Sequence, residues 1–214
     1  MSPKLADPAV RTALIETAAE LIASDGTGGL TLRRLAREVG TSTMAVYTHF
    51  GGMDELRRAV RQEGFARLAA HQAAVGTTDD PVADLVGQGW AYYTNATTNP
   101  NLYRAMFMDV PSDEVWTAGP ETFEALVDAV QRCIDGGRFD PADASHLASQ
   151  LWATAHGVVS LQIAHLLSPE QALACLTAAA RNLVVAFGDD PSAYERSLER
   201  FAARADAIAV AGPS

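Results

Sequence analysis

The stretch Thr31–Phe50, TLRRLAREVGTSTMAVYTHF, carries the clearest structural signal in this 214-residue chain. Leu32, Leu35, Ala36 and Val39 recur at i, i+3, i+4 and i+7, giving one short helix a single apolar face. Thr31 is placed to cap that helix, with Leu30 and Leu35 at N′ and N4 for a hydrophobic staple. Gly40 follows the last apolar residue, where a left-handed residue ends a helix without steric cost. Ser42 is placed to cap a second helix, whose Val46 and Phe50 face inward one turn apart. Ala36 is small where the two helices must cross, and the outer face of the second carries Thr43, Met44, Tyr47 and His49. This pattern predicts a helix-turn-helix, whose second helix enters the major groove of DNA.

Leu35-Ala36, Gly40, Ser42 and above all Tyr47-Thr48-His49-Phe50, followed by Asp54-Glu55-Leu56, resemble the tetracycline-repressor (TetR) family of bacterial regulators. The similarity runs from about Arg11 to Arg67 and includes the flanking helices and their spacing. It implies an all-α protein with an N-terminal three-helix helix-turn-helix DNA-binding domain. A C-terminal helical bundle would bind a small molecule and pair two subunits. Tyr47 and His49 match positions that bind phosphate in the family; packing between helices is the alternative for each. Met53 departs from the pattern, standing where the family usually has a phosphate-binding lysine at the start of its fourth helix. Further on, Trp152-Ala-Thr-Ala-His156-Gly157 resembles a Trp-His-Gly signature of one branch of the C-terminal domains.

A net charge of −10 looks wrong for a DNA binder until it is divided along the chain. Residues 1–72 hold nine Lys/Arg and eight Asp/Glu, for +1; residues 73–214 hold seven and eighteen, for −11. Between Thr31 and Arg61 six arginines face three acids, so positive charge is local to the motif, as phosphate contact requires. The acidity of the remainder reads as a solvated surface. Apolar residues at 48% supply a core, and 20% charged residues argue against disorder. Cys133 and Cys175 lack metal or redox spacing and read as small core residues in a reducing compartment. MSPKLADPAV has no apolar signal core, and Leu147–Leu167 is interrupted by Gln150, His156, Gln162 and His165. The expected location is cytoplasmic, with no membrane partner.

Asp7-Pro8, Asp80-Pro81, Asn99-Pro100, Asp140-Pro141, Ser168-Pro169 and Asp190-Pro191 each set a capping side chain before a proline, and each pair should open a helix. No alternating strand pattern lies between them. The fourth helix should run from Met53 to about His71 with Leu56, Val60, Gly64 and Leu68 on one stripe. The polar break Gly76–Asp80 suggests a DNA-binding domain over residues 1–72 and a ligand-binding and dimerisation domain over 77–214. Pro141–Leu167 and the alanine-rich Pro169–Phe187 are the longest apolar patterns and the expected dimer interface. A final helix should hold Tyr194, Leu198, Phe201, Ala205 and Ile208.

The expected DNA surface is Thr31, Arg33, Ser42, Thr43, Met44, Ala45, Tyr47, Thr48 and His49. Arg33 is placed to reach a phosphate or a guanine edge, while Arg34 and Arg37 add only general positive field. Thr43, Met44 and Ala45 carry no bidentate donor, so readout there rests on a threonine hydrogen bond and thymine methyl contact. Trp152 and His156 stand one turn apart and are expected to line an effector site with Trp90, Tyr93, Met106, Phe107, Trp116 and Phe123; core packing is the alternative for each. Gly157 inside a helix calls for close packing or a bend. Catalysis lacks apparatus: only Asp143-x-x-His146 approaches a bundle metal motif, without a second copy, and no nucleophile elbow or phosphate loop is present. The expected partners are therefore a double-stranded DNA operator, a small-molecule effector and a second copy of the chain, with no cofactor. A regulator without a ligand, controlled by a protein partner, is the other reading.

Overall fold

The structure, a computed structural model, describes residues 7–107 and 119–211, without the side chains of Thr27 and residues 206–211. Among the described residues every regular element is helical. In chain order these are α1 (Pro8–Asp25), a 3-10 turn (Thr27–Gly29), α2 (Leu32–Val39), α3 (Thr43–Phe50), α4 (Met53–Val75), α5 (Pro81–Thr98) and α6 (Pro100–Phe107). Then follow α7 (Pro120–Asp135), α8 (Ala144–Ile163), α9 (Pro169–Ala186) and α10 (Pro191–Ala211). The expected all-α class holds.

The proline pairs act as expected at five of six positions. Asp7 accepts from the Ala9 N–H at 3.0 Å, Asp80 from Ala83 at 3.1 Å and Asp190 from Ala193 at 2.9 Å. Ser168 and Gln171 form a reciprocal capping box, and α6 opens directly after Asn99. Asp140-Pro141 is the exception: α8 starts at Ala144, with Asp143 accepting from the Ser145 and His146 N–H groups. The cause is tertiary. The Asp140 N–H donates to the Phe187 carbonyl at 2.8 Å, and Phe139 packs edge-on against Phe187, holding the chain at the end of α9 before α8 can begin.

The chain divides into two compact units, Met1–Ala66 with Asn99–Gly119, and Arg67–Thr98 with Pro120–Ser214. This differs from a boundary between residues 72 and 77: the division falls within α4, and α6 joins the first unit. Leu102 and Ala105 of α6 enter the same apolar core as Leu14, Ile15, Ala18 and Ile22 of α1, and Arg104 donates to the Ala23 carbonyl at 3.2 Å. Gly64 lets α4 and α6 approach, since a Cβ there would lie 2.5 Å from Met106 Sδ. Periodicity marks α6 as amphipathic without saying which core takes its apolar face.

In the second unit α5 packs on α7, α8 and α10, and α8 on α7 and α9. Its apolar core includes Val82, Val130, Cys133, Leu147, Val184 and Tyr194. Burial pushes the Cys133 thiol up to about 12. Cys175, by contrast, is exposed on α9 rather than a core residue. The acidic surplus is not all solvated either, because Asp80, Asp84 and Asp189 are buried. Arg138 makes a two-pronged contact with Asp189 at 2.6 and 2.8 Å and reaches Asp80 at 3.1 Å, which also accepts from Ser197. Asp84 accepts from Arg204 at 2.6 Å, from Arg132 at 2.8 Å and from both the N–H and the hydroxyl of Thr78. Arg204 also donates to the Val75 carbonyl at 3.2 Å, tying the last residue of α4 to α10.

Burial alone would raise the Asp84 carboxyl, but the bonds from Thr78, Arg132 and Arg204 outweigh it and hold it below its ordinary value. A depressed carboxyl contributes stability above its unfolded value of about 3.9, lost as pH falls through the lower folded value. Asp84→Asn leaves two guanidinium groups short of a counter-charge. At pH 7 it should cost about 3 kcal/mol, or roughly 6–12 °C in Tm, by thermal unfolding. The difference from the parent should shrink once the pH is below about 3.

Candidate functional site

The helix-turn-helix is assembled by the residues expected to do so. Thr31 Oγ1 accepts from the Arg34 N–H at 3.3 Å, and Gly40 stands at φ 72°, the left-handed position that ends α2. Leu30 and Leu35 are both buried in the first unit's core, with Val46 of α3 fully buried beside them. Ser42 occupies the cap position of α3 in extended geometry, yet its side chain makes no cap bond. Its exposed hydroxyl is therefore not engaged by the helix it precedes.

With Val46 turned inward, α3 presents the rest outward. Met44 is 65% exposed and Tyr47 48%, which does not fit a packing role for the tyrosine. Thr43 and Ala45 are half-buried; Thr48 is exposed, and its hydroxyl donates to the Met44 carbonyl at 2.9 Å. His49 is half-buried, with its ring 6.1 Å from that of Phe50, over which Arg11 lies at 5.4 Å.

The arginines of the motif differ in their engagements. Arg34 pairs with Asp25, fastening α2 to the end of α1, so its role is structural and not only that of a general field. Arg37 pairs with Glu38 at 2.9 Å, Arg57 with Asp54 at 3.2 Å and Arg58 with Glu55 at 3.0 Å. Arg33 is exposed and enters no ion pair among the described residues. At the start of α4, Met53 is half-buried against the first unit's core, and a Cβ at Gly52 would lie 2.9 Å from a Glu55 carboxylate oxygen. A carboxylate thus stands where the free N–H groups of the helix favour an anion.

The residues expected around an effector fall in both compact units. Met106 and Phe107 belong to the first unit, where Met106 is buried against Gly64 and Phe107 meets Phe65 edge-on at 5.6 Å. Trp116 lies outside the described residues. Trp90 and Tyr93 stack at 5.9 Å, and Trp90 reaches Phe201 of α10 at 6.4 Å. A step of about 100° per residue puts them on the opposite side of α5 from Gln88 and Tyr92.

On that other side four helices make a closed circuit of contacts. The Tyr92 hydroxyl shares a hydrogen bond of 3.0 Å with His156 Nδ1. The His156 ring lies 5.5 Å from Trp152, and Trp152 meets Phe123 at 6.1 Å. Next to Phe123, the Thr122 carbonyl accepts from Gln72 Nε2 at 3.1 Å, and the Gln72 carbonyl accepts from Gln88 Nε2 at 3.4 Å. Gln88 lies one turn from Tyr92, which closes the loop through α4, α5, α7 and α8. Burial lowers the His156 pKa, so its ring is neutral at pH 7. Tyr92, Gln72 and Gln88 were not among the expected residues, which followed aromatic spacing; the available signal was Gln88 and Tyr92 at i and i+4 on one side of α5.

Gly157 is exposed, and a Cβ there would meet nothing within 4 Å among the described residues, so packing against them does not select it. It lies on α8 in a line with Ala153 and Leu161, all exposed. Asp143 and His146 form no metal pair, since the carboxylate caps α8.

Residues 14–60 match the model of bacterial regulatory proteins of the tetR family, and residues 85–187 that of a tetracyclin repressor-like C-terminal domain. The chain is 30% identical over 159 residues to the uncharacterized HTH-type transcriptional regulator Rv0681 of Mycobacterium tuberculosis, covering 72% of this chain and 70% of that one. A protein with unknown function from Rhodococcus sp. RHA1 superposes with a TM-score of 0.72 at 28% identity, over 88% of this chain and 100% of the other. The TetR family transcriptional regulator PfmR of Thermus thermophilus shares the fold, with a TM-score of 0.64 at 18% identity over 83% of this chain and 99% of the other. Among the described residues no helix is long and apolar enough to cross a membrane. The chain belongs to the TetR family of bacterial transcriptional regulators, and it is not an enzyme.

Proposed function

We propose that this regulator is a cytoplasmic repressor that binds a near-palindromic operator as a homodimer and leaves it when a small apolar or aromatic effector binds. The observation that carries the DNA role is the outer face of α3. An eight-residue helix that buries only Val46 and exposes Met44 and Tyr47 keeps apolar and polar groups in water that its own core does not use. Beside it, Arg33 has no carboxylate among the described residues to neutralise it. Thr43, Met44 and Ala45 would meet base edges and thymine methyls; Thr31, Ser42, Tyr47, Thr48 and His49 would hold the backbone.

The second copy is supported by α8 and α9. Besides Met44 and Tyr47, the large hydrophobic residues exposed among the described residues are Leu161, Leu166 at 70% and Leu173. Only Ala172 and Val184 of α9 are buried, although the helix is rich in alanine and leucine. Gly157 and Ala178 lie on these exposed faces, where small side chains let helices of two subunits approach. A two-fold pair would set its recognition helices about 34–36 Å apart, one turn of DNA. An effector favouring the free form must then bind more weakly to the DNA complex by the same factor.

The double variant Arg33→Ala, Tyr47→Phe should lose specific operator binding by at least roughly a hundredfold, two contacts of about 1.5 kcal/mol each. Fluorescence anisotropy reads the binding, and circular dichroism should show an unchanged fold. Unweakened binding would remove both residues from the interface. For the dimer, Ala178→Glu in the full chain should move the sedimentation mass from twice 22.7 kDa toward 22.7 kDa. Met53→Lys adds up to two phosphate contacts per dimer, steepening the slope of log affinity against log salt by up to about 1.8 on operator and random DNA alike. Because Met53 packs against the core, a drop in Tm of a few degrees should accompany it.

A further inference from the structure

Two buried oxygens in the circuit of α4, α5, α7 and α8 have no hydrogen-bond partner among the described residues: Gln72 Oε1 and Gln88 Oε1. Gln72 as a whole is only 8% exposed. Neither amide can turn over to relieve this. Each nitrogen is held by a backbone carbonyl, Thr122 for Gln72 and Gln72 for Gln88, and a carbonyl can only accept. A flip would set oxygen against oxygen. The Gln72 carbonyl is itself among the last four of α4, which lack partners within the helix, so Gln88 serves there as a cap. Each amide is thus locked with its oxygen as the free end.

We propose that the effector is a neutral hydrogen-bond donor, a hydroxyl- or N–H-bearing aromatic compound whose polar group donates to Gln72 Oε1 or Gln88 Oε1. The proposal rests on the ligand-responsive role given above and narrows its chemistry. A buried acceptor without a donor attracts a donor and repels a carboxylate or phosphate, whose oxygens would face its own. The rest of the circuit accepts the ring: Phe123 and Trp152 offer aromatic faces, and the neutral His156 bound to Tyr92 adds no charge to attract an anion. Satisfying a buried acceptor is worth roughly tenfold or more in affinity, so a matched compound lacking the donor is rejected by that factor.

The test uses the full-length chain and three matched sets of probes: phenol, anisole and benzoate; 2-naphthol, 2-methoxynaphthalene and 2-naphthoate; 4-hydroxybiphenyl, 4-methoxybiphenyl and biphenyl-4-carboxylate. Titration at pH 7 follows quenching of tryptophan fluorescence, Trp152 being part of the circuit. In at least one set the hydroxyl member should bind at least roughly tenfold tighter than its ether and its carboxylate. That preference should vanish in Gln72→Met, Gln88→Met, in which methionine keeps the length of the side chain without the acceptor. Should the double variant not fold, one of the single variants Gln72→Met and Gln88→Met should reduce the preference severalfold. An ether or carboxylate that binds as well as the hydroxyl, or a preference unchanged in the variant, overturns the donor assignment and leaves a ligand-responsive regulator standing. Failure of all nine probes to bind overturns the effector role of this circuit, and the donor assignment with it.

Discussion

Helices of eight residues do not persist in water on their own, because the cost of nucleation is spread over too few hydrogen bonds. Both α2 and α3 are of this length, so they exist only through what they bury. Leu35 and Val46 lose all contact with solvent, and they do so in one core with Leu14, Leu21, Leu56 and Val60 of the longer α1 and α4. Full burial of such an aliphatic side chain is worth about 1.5–3 kcal/mol, which sets the scale of what holds the pair in place. Gly40 makes the turn between them possible, and the Arg34–Asp25 pair adds a tether at the other end. With so little surface committed inward, nearly the whole outer face of α3 remains for another molecule.

The second unit is fastened differently. Its core is apolar, but Asp80, Asp84 and Asp189 are buried against the half-buried Arg132, Arg138 and Arg204, where residues of similar volume and no charge would have sufficed for stability. What such pairs add is geometry. Asp80 and Asp84 each accept from more than one partner, so the ends of α4, α5 and α7 meet the middle of α10 in one arrangement and not in a set of near-equivalents. Against that fixed frame, α8 and α9 keep an apolar face with none of the described residues upon it.

The circuit from Gln72 to His156 shows the same economy of position. Its aromatic members could be exchanged for other large apolar residues with little harm to a core, but its two glutamine oxygens cannot be explained by packing. A buried acceptor without a donor is a cost, and chains seldom keep two in one circuit without a use for them.

Local pattern was enough to find the elements. Apolar residues at helical spacing, caps before prolines and a glycine after the last apolar residue act over a few neighbours, so α1 to α5, α7, α9 and the whole helix-turn-helix were legible within a few residues. The exposure of Tyr47 and Met44 followed from the same periodicity. Which elements share a core was settled by long-range contacts alone. They sent α6 to α1 and not to the second unit, delayed α8 to Ala144 by pinning Asp140 to Phe187, and turned acids expected on a surface into buried ion pairs. They also put Gln88 and Tyr92, on a different side of α5 from Trp90, into the circuit. The reason is common to all of these. An amphipathic pattern states that a face is buried, while the identity of its partner depends on contacts between residues far apart in the chain, such as Gln72 with Thr122 or Tyr92 with His156, and no local spacing records them.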